Sequence, residues 1–94
     1  MSNKDYEFLC RKSEILKAIS HPVRLAILKG LMENGPTCVG DLETGREDIV
    51  TAVVSQHLNK IKSVGILKSK RKGTSVFYSL NDVDKIVELI KAFL

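Results

Sequence analysis

The pattern of apolar and polar positions is helical up to Gly65 and β-prone just beyond it. At 100° per residue, Val50, Val54, His57, Leu58, Ile61 and Val64 fall on one face of a helix. Thr51, Ala52, Ser55, Gln56, Asn59, Lys60 and Ser63 cover the other face, which is short-chained, polar and free of acids. Gly65 ends this helix, because glycine takes the left-handed conformation at little steric cost. Two short β-prone runs follow, 66–70 and 75–80, joined around Lys72-Gly73-Thr74, and these read as a hairpin.

The rest of the chain supplies helices around that unit. Residues 5–19 predict a first helix with an apolar stripe of Phe8, Leu9, Ile15, Leu16 and Ile19. Cys10 falls opposite that stripe, beside Glu7, Glu14 and Lys17, so burial in its own protomer does not explain it. Ser20-His21-Pro22 is a break, with Ser20 expected as N-cap and Pro22 in the first turn of the next helix. Residues 22–33 are apolar on most sides and predict a central core helix, ended by Asn34-Gly35-Pro36. Residues 37–42 are expected to start a short third helix, with Val39 and Leu42 inward, and 43–49 to form a turn. A last helix opens at Asn81 or Asp82, with Asp84 beside the positive end of its dipole. Val83, Ile86, Val87, Leu89, Ile90, Phe93 and Leu94 give it a face too broad for one small domain, which predicts pairing with a second copy.

The pattern predicts a mainly α fold with a small β-hairpin wing. This is a winged helix-turn-helix of five helices, with the hairpin between the fourth and fifth. It forms one domain over 1–94: a first helix in 1–19, a core helix in 20–34, the helix-turn-helix in 37–64, the wing in 66–80 and a dimerisation helix in 81–94. The expected homodimer joins through the first and last helices. A two-fold protein suits DNA, since it reads two half-sites about one helical turn apart.

Composition changes the picture little, but charge changes it a good deal. A chain of 94 residues buries a modest core, for which dimerisation is a common remedy. No apolar run approaches the roughly 20 residues that span a bilayer. The first residues, MSNKDYEFL, lack the apolar core of a signal peptide. A cytoplasmic protein with reduced cysteines and no membrane partner is therefore expected. Between Ile49 and Asn81 there is no Asp or Glu, while Lys60, Lys62, Lys68, Lys70, Arg71 and Lys72 all lie there. The formal net charge of +4 is thus local, and the rest of the chain is net acidic. A merely solvated lysine face would interleave Glu with Lys. An acid-free basic stripe on a helix and an adjoining hairpin is the electrostatic footprint of a nucleic-acid surface.

Several runs resemble one family. Ser20-His21-Pro22-Val23-Arg24-Leu25-Ala26-Ile27-Leu28 resembles the hPxRLxIL opening of the second helix in the ArsR/SmtB repressors. Val54-Ser55-Gln56-His57-Leu58 resembles their VSxHL recognition-helix signature. Val64-Gly65-Ile66-Leu67, Lys72-Gly73 and Phe77-Tyr78-Ser79-Leu80 resemble their helix end and wing. The likeness runs from about Ile15 to the C-terminus. It implies a homodimeric winged helix-turn-helix repressor that leaves its operator when a metal, metalloid or oxidant binds. On that reading Thr51, Ala52, Ser55 and Gln56 enter the major groove of double-stranded operator DNA. There Gln56 can pair bidentately with adenine, and the Ala52 methyl can meet a thymine methyl. Asn59 and Lys60 lie further along and hold phosphates. Lys68, Lys70, Arg71 and Lys72 contact backbone or minor groove, giving affinity rather than sequence choice.

The sensor is less fully specified. The family's zinc site on the last helix has the pattern D-x-H…H-x-x-[EH]; here Asp82, Asp84 and Glu88 are present without a histidine, so that site is excluded. The thiol motif ELCVCDL meets Pro36-Thr37-Cys38-Val39-Gly40-Asp41-Leu42, with Cys38 in its first cysteine position and Gly40 in its second. Some relatives add N-terminal cysteines that approach this site from the other protomer, and Cys10 is placed to do so. The resemblance therefore implies a sensor of Cys10 and Cys38, with no cofactor required. Its inducer is either an oxidant, through disulfide or polysulfide formation, or As(III) or another thiophilic ion. The alternative is two packing residues, with an inducer still to be found. His57 reads as structural or phosphate-touching and His21 as structural, since two histidines without a third ligand make no zinc site. No P-loop, HExxH, CxxC or nucleophile elbow supports an enzyme. A winged helix used only for protein contacts would have no need of the basic stripe.

Overall fold

The computed structural model describes residues 1–42, 51–81 and 85–94. Helix α1 spans Asn3–Ile19 and opens on a capping box: Asp5 donates its backbone N–H to Ser2 Oγ at 3.1 Å, while the Asp5 carboxylate accepts from the Ser2 N–H. It therefore starts two residues before the position expected from apolar periodicity. Helix α2 spans Pro22–Asn34. Its N-cap is His21, not Ser20: His21 Nδ1 accepts from the Val23 N–H at 3.1 Å, and Ser20 instead ends α1. The ring nitrogen does here what a hydroxyl usually does, satisfying an amide left over at the helix start.

The expected third helix is corrected over its first residues. Thr37–Cys38 form a strand, β1, and Val39–Asp41 a single 3-10 turn. Gly35, at φ 71°, turns the chain out of α2, and Thr37 Oγ1 donates to the Gly35 carbonyl at 2.9 Å. That turn sets Thr37 opposite Tyr78 and Cys38 opposite Phe77, so these residues complete their backbone bonds across a sheet rather than within a helix. The turn expected at 43–49 lies outside the described residues.

Helix α3 spans Thr51–Ser63, followed by β2, Leu67–Lys72, and β3, Ser75–Leu80. Gly65 and Gly73 hold the left-handed φ values of 85° and 62° that the two reversals need. The wing is a three-stranded antiparallel sheet in the order β1-β3-β2, one strand wider than the expected hairpin. Asn81 clamps its base, its N–H on the Ile66 carbonyl at 3.0 Å and its side-chain amide on the Gly65 carbonyl at 3.1 Å. Helix α4 spans Lys85–Phe93; the helix opening expected at 81–84 includes Asp82, Val83 and Asp84, which lie outside the described residues.

One core joins the four helices and the β2–β3 hairpin: Ile15 and Ile19 of α1, Ile27, Leu28 and Leu31 of α2, Leu58 and Ile61 of α3, Leu67 and Leu80 of the sheet, and Val87 and Ile90 of α4. Leu58 is fully buried at its centre. Leu58→Ala is expected to lower unfolding free energy by about 2–5 kcal/mol in a urea titration, the range for leucine cavities in packed cores. The apolar stripe of α1 divides. Ile15 and Ile19 are buried with Ala18, whereas Phe8, Leu9 and Leu16 stay exposed at 58%, 46% and 57%.

Candidate nucleic-acid interface

Helix α3 presents two faces of opposite character. Val54, Leu58 and Ile61 are buried against α1 and α2, while Ala52, Gln56, Asn59 and Lys60 are exposed and Ser55 is half-buried. The side chain of Thr51 lies outside the described residues. The apolar periodicity sets this division, since three buried residues one turn apart hold the opposite side of the helix in solvent.

The wing extends that surface. Lys68, Lys70, Arg71 and Lys72 are all exposed, and among the described residues none is ion-paired. The register separates them. Lys68, Lys70 and Lys72 alternate onto the sheet face that also carries Phe77 and Ser79, and Lys72 Nζ lies 5.7 Å from the Phe77 ring centre. Arg71 shares the other face with Ser69 and the buried Leu67. That face packs on α3: Lys62 Nζ donates to Ser69 Oγ at 2.6 Å, fixing the end of α3 to the wing. Lys62 is thus a strut, and Arg71 the wing cation on the α3 side.

Among the residues gathered behind α3, sequence reasoning missed one partnership. Arg24 of α2 donates from Nε to His57 Nδ1 at 3.1 Å and from Nη1 to the Ala18 carbonyl at 3.0 Å. The His21 and His57 rings lie 4.6 Å apart. Burial, then His21, then the Arg24 guanidinium hold the His57 pKa below its ordinary 6.5. Arg24 and His57 stand 33 positions apart, and nothing in the sequence signals their pairing.

The two cysteines are free thiols on separate elements. Cys10 is exposed on α1 and Cys38 half-buried on β1. Cys38 Sγ donates to Asp41 Oδ2 at 3.0 Å. That bond, with some burial and the carboxylate's charge, raises the Cys38 pKa and keeps it a thiol at neutral pH. Among the described residues no three His, Cys, Asp or Glu side chains gather as a metal site.

The model of the family described as "Bacterial regulatory protein, arsR family" matches residues 21–69, the span from the cap of α2 through α3 into β2. The chain belongs to this family. An uncharacterised HTH-type transcriptional regulator of Methanocaldococcus jannaschii is 41% identical over 86% of this chain and 89% of its own length. The crystal structure of the transcriptional repressor PagR of Bacillus anthracis superposes with TM-score 0.77 at 31% identity, covering 95% of this chain and 99% of that one. The homodimeric winged helix-turn-helix DNA-binding domain Mb0332 of Mycobacterium bovis, a possible ArsR-family regulator, gives 0.78 at 25% identity, covering 99% and 86%. The protein is accordingly a winged helix-turn-helix, DNA-binding transcriptional repressor of the ArsR/SmtB family and not an enzyme. No helix among the described residues is long and apolar enough to cross a membrane.

Proposed function

We propose that the protein binds a specific double-stranded operator as a homodimer in the cytoplasm and leaves it through chemistry at Cys10 and Cys38. The observation that carries the DNA reading is that Ala52, Gln56, Asn59 and Lys60 of α3 and the wing cations Lys70, Arg71 and Lys72 are all exposed within a stretch free of acids. Thr51, Ala52, Ser55 and Gln56 read bases in the major groove, and Asn59 and Lys60 hold phosphates. Lys70, Arg71 and Lys72 grip the backbone beside the groove, with Lys68 further from the tip. The dimer reading is supported by the exposed apolar residues of α1 and α4, Tyr6, Phe8, Leu16, Leu89 and Phe93 among them.

The thiol reading rests on Cys10 standing exposed where its helix needs no cysteine. In the oxidative form two thiols pass two electrons and two protons to the oxidant and join as a disulfide. In the metalloid form they ligate a thiophilic ion. Asp41 favours the Cys38 thiol over the thiolate that attacks or ligates, so either form of the chemistry first displaces that hydrogen bond. Fluorescence anisotropy on a promoter fragment of the protein's own operon tests this, with diamide or polysulfide and with arsenite. The oxidant is expected to release wild type but not Cys10→Ser. Release by arsenite alone identifies a metalloid site, and release by neither makes the cysteines packing residues.

A further inference from the structure

We infer that Arg24 is a positioning residue for the recognition helix, and that protonation of His57 releases its hold and weakens operator binding in mildly acidic solution. The inference rests on the operator reading of α3 and adds a regulation to it.

Three helices meet at this one guanidinium. Ala18 is the penultimate residue of α1, so its carbonyl is one of those left without a partner inside the helix. Arg24 satisfies it with Nη1 and reaches His57 of α3 with Nε, from the first turn of α2. The planar guanidinium fixes both directions at once, which an ammonium on a flexible stem does not. His57 adjoins Gln56, the last residue of the base-reading set, so the rotation of α3 about its axis is set beside that face.

The donor pattern fixes the protonation state. Arg24 always donates, so His57 Nδ1 accepts and carries no proton. His21 Nδ1 accepts as well, from the Val23 N–H. Adding a proton to His57 Nδ1 turns donor against donor and sets a second cation beside the guanidinium. Among the described residues the ionisable groups acting on His57 are His21 and Arg24; α1 contributes the Ala18 carbonyl and the sheet contributes none. Acid therefore breaks the tie of α3 to α2.

The sign makes the inference testable. Acidification adds positive charge to a protein of net charge +4, and for ordinary phosphate binding that strengthens association. A brace that opens on protonation gives the opposite. Anisotropy at constant ionic strength is expected to show affinity several-fold weaker at pH 5.5 than at pH 7.5, short of a full pKa unit of coupling because a ring with a midpoint below 6.5 is incompletely protonated at pH 5.5. Circular dichroism at both pH values keeps folding separate, because a histidine with lowered pKa also subtracts stability as pH falls below 6.5. In His57→Asn the amide oxygen accepts from Arg24 at any pH, and the ratio of the two affinities is expected to approach one. Arg24→Lys keeps the charge without the fork and is expected to bind about tenfold more weakly at pH 7.5.

An NMR titration of the His57 ring, which needs no DNA, is expected to give a midpoint below 6.5 that rises in Arg24→Ala. Equal or stronger binding at pH 5.5, an unchanged pH ratio in His57→Asn, or a midpoint unmoved by Arg24→Ala overturns the brace. Absence of binding at pH 7.5 instead removes the operator reading, and the ring titration then decides the brace alone.

Discussion

Replacing Lys70, Arg71 and Lys72 together by glutamate is expected to abolish operator binding while the protein stays folded. All three side chains are exposed, and none supports the core. Each reversal removes two units of charge, so the formal net charge moves from +4 to −2, and the whole change falls on the wing tip. A dimer carries the change twice, opposite the phosphates of two half-sites. If wild type neutralises about eight phosphates, its affinity falls by roughly 10³–10⁵ between 50 and 200 mM salt. The triple variant is expected to lose at least about 10³ in affinity and most of that salt slope in the same titration. Unchanged affinity would remove the DNA reading of the wing. Single variants separate the two sheet faces. Arg71→Gln, on the α3 side, is expected to cost more than Lys68→Gln, which lies at the far end of the opposite face.

Dimerisation gives the second large effect. Leu16 of α1 and Leu89 of α4 are 57% and 65% exposed, so neither holds its own protomer together. Burying a leucine side chain is worth about 1.5–3 kcal/mol, and a two-fold interface counts each residue twice. Leu16→Glu with Leu89→Glu replaces that burial with charges that cannot be desolvated at low cost. Sedimentation is expected to show a monomer with native circular dichroism, and operator affinity is expected to drop about a hundredfold or more as the second half-site contact is lost. A dimer that survives both changes would place the interface elsewhere.

How far the sequence could be read follows from the range of each interaction. The period of Val54, Leu58 and Ile61 identifies α3 and its buried face, since burial of a helix depends on spacing alone. Gly65 and Gly73 identify the reversals because their positive φ is a local requirement. The strand at Thr37–Cys38 was hidden: two residues carry no period, and their partners Tyr78 and Phe77 lie some forty positions away. The cap of α2 was misread because Ser20 is the commoner N-cap residue, while the choice of His21 depends on a ring nitrogen reaching Val23.

The acid-free run from Thr51 to Leu80, the amphipathic helix within it and the two turn glycines are properties of neighbours along the chain, and they alone determined that a basic helix and wing would form. Tertiary structure decided that Lys62 braces the wing, that Asp41 favours the Cys38 thiol by accepting its hydrogen bond, and that Arg24 ties His57 to the end of α1. Each of these is a contact a few ångströms long between side chains whose directions are set by the packing of separate elements, and no spacing in the sequence encodes it.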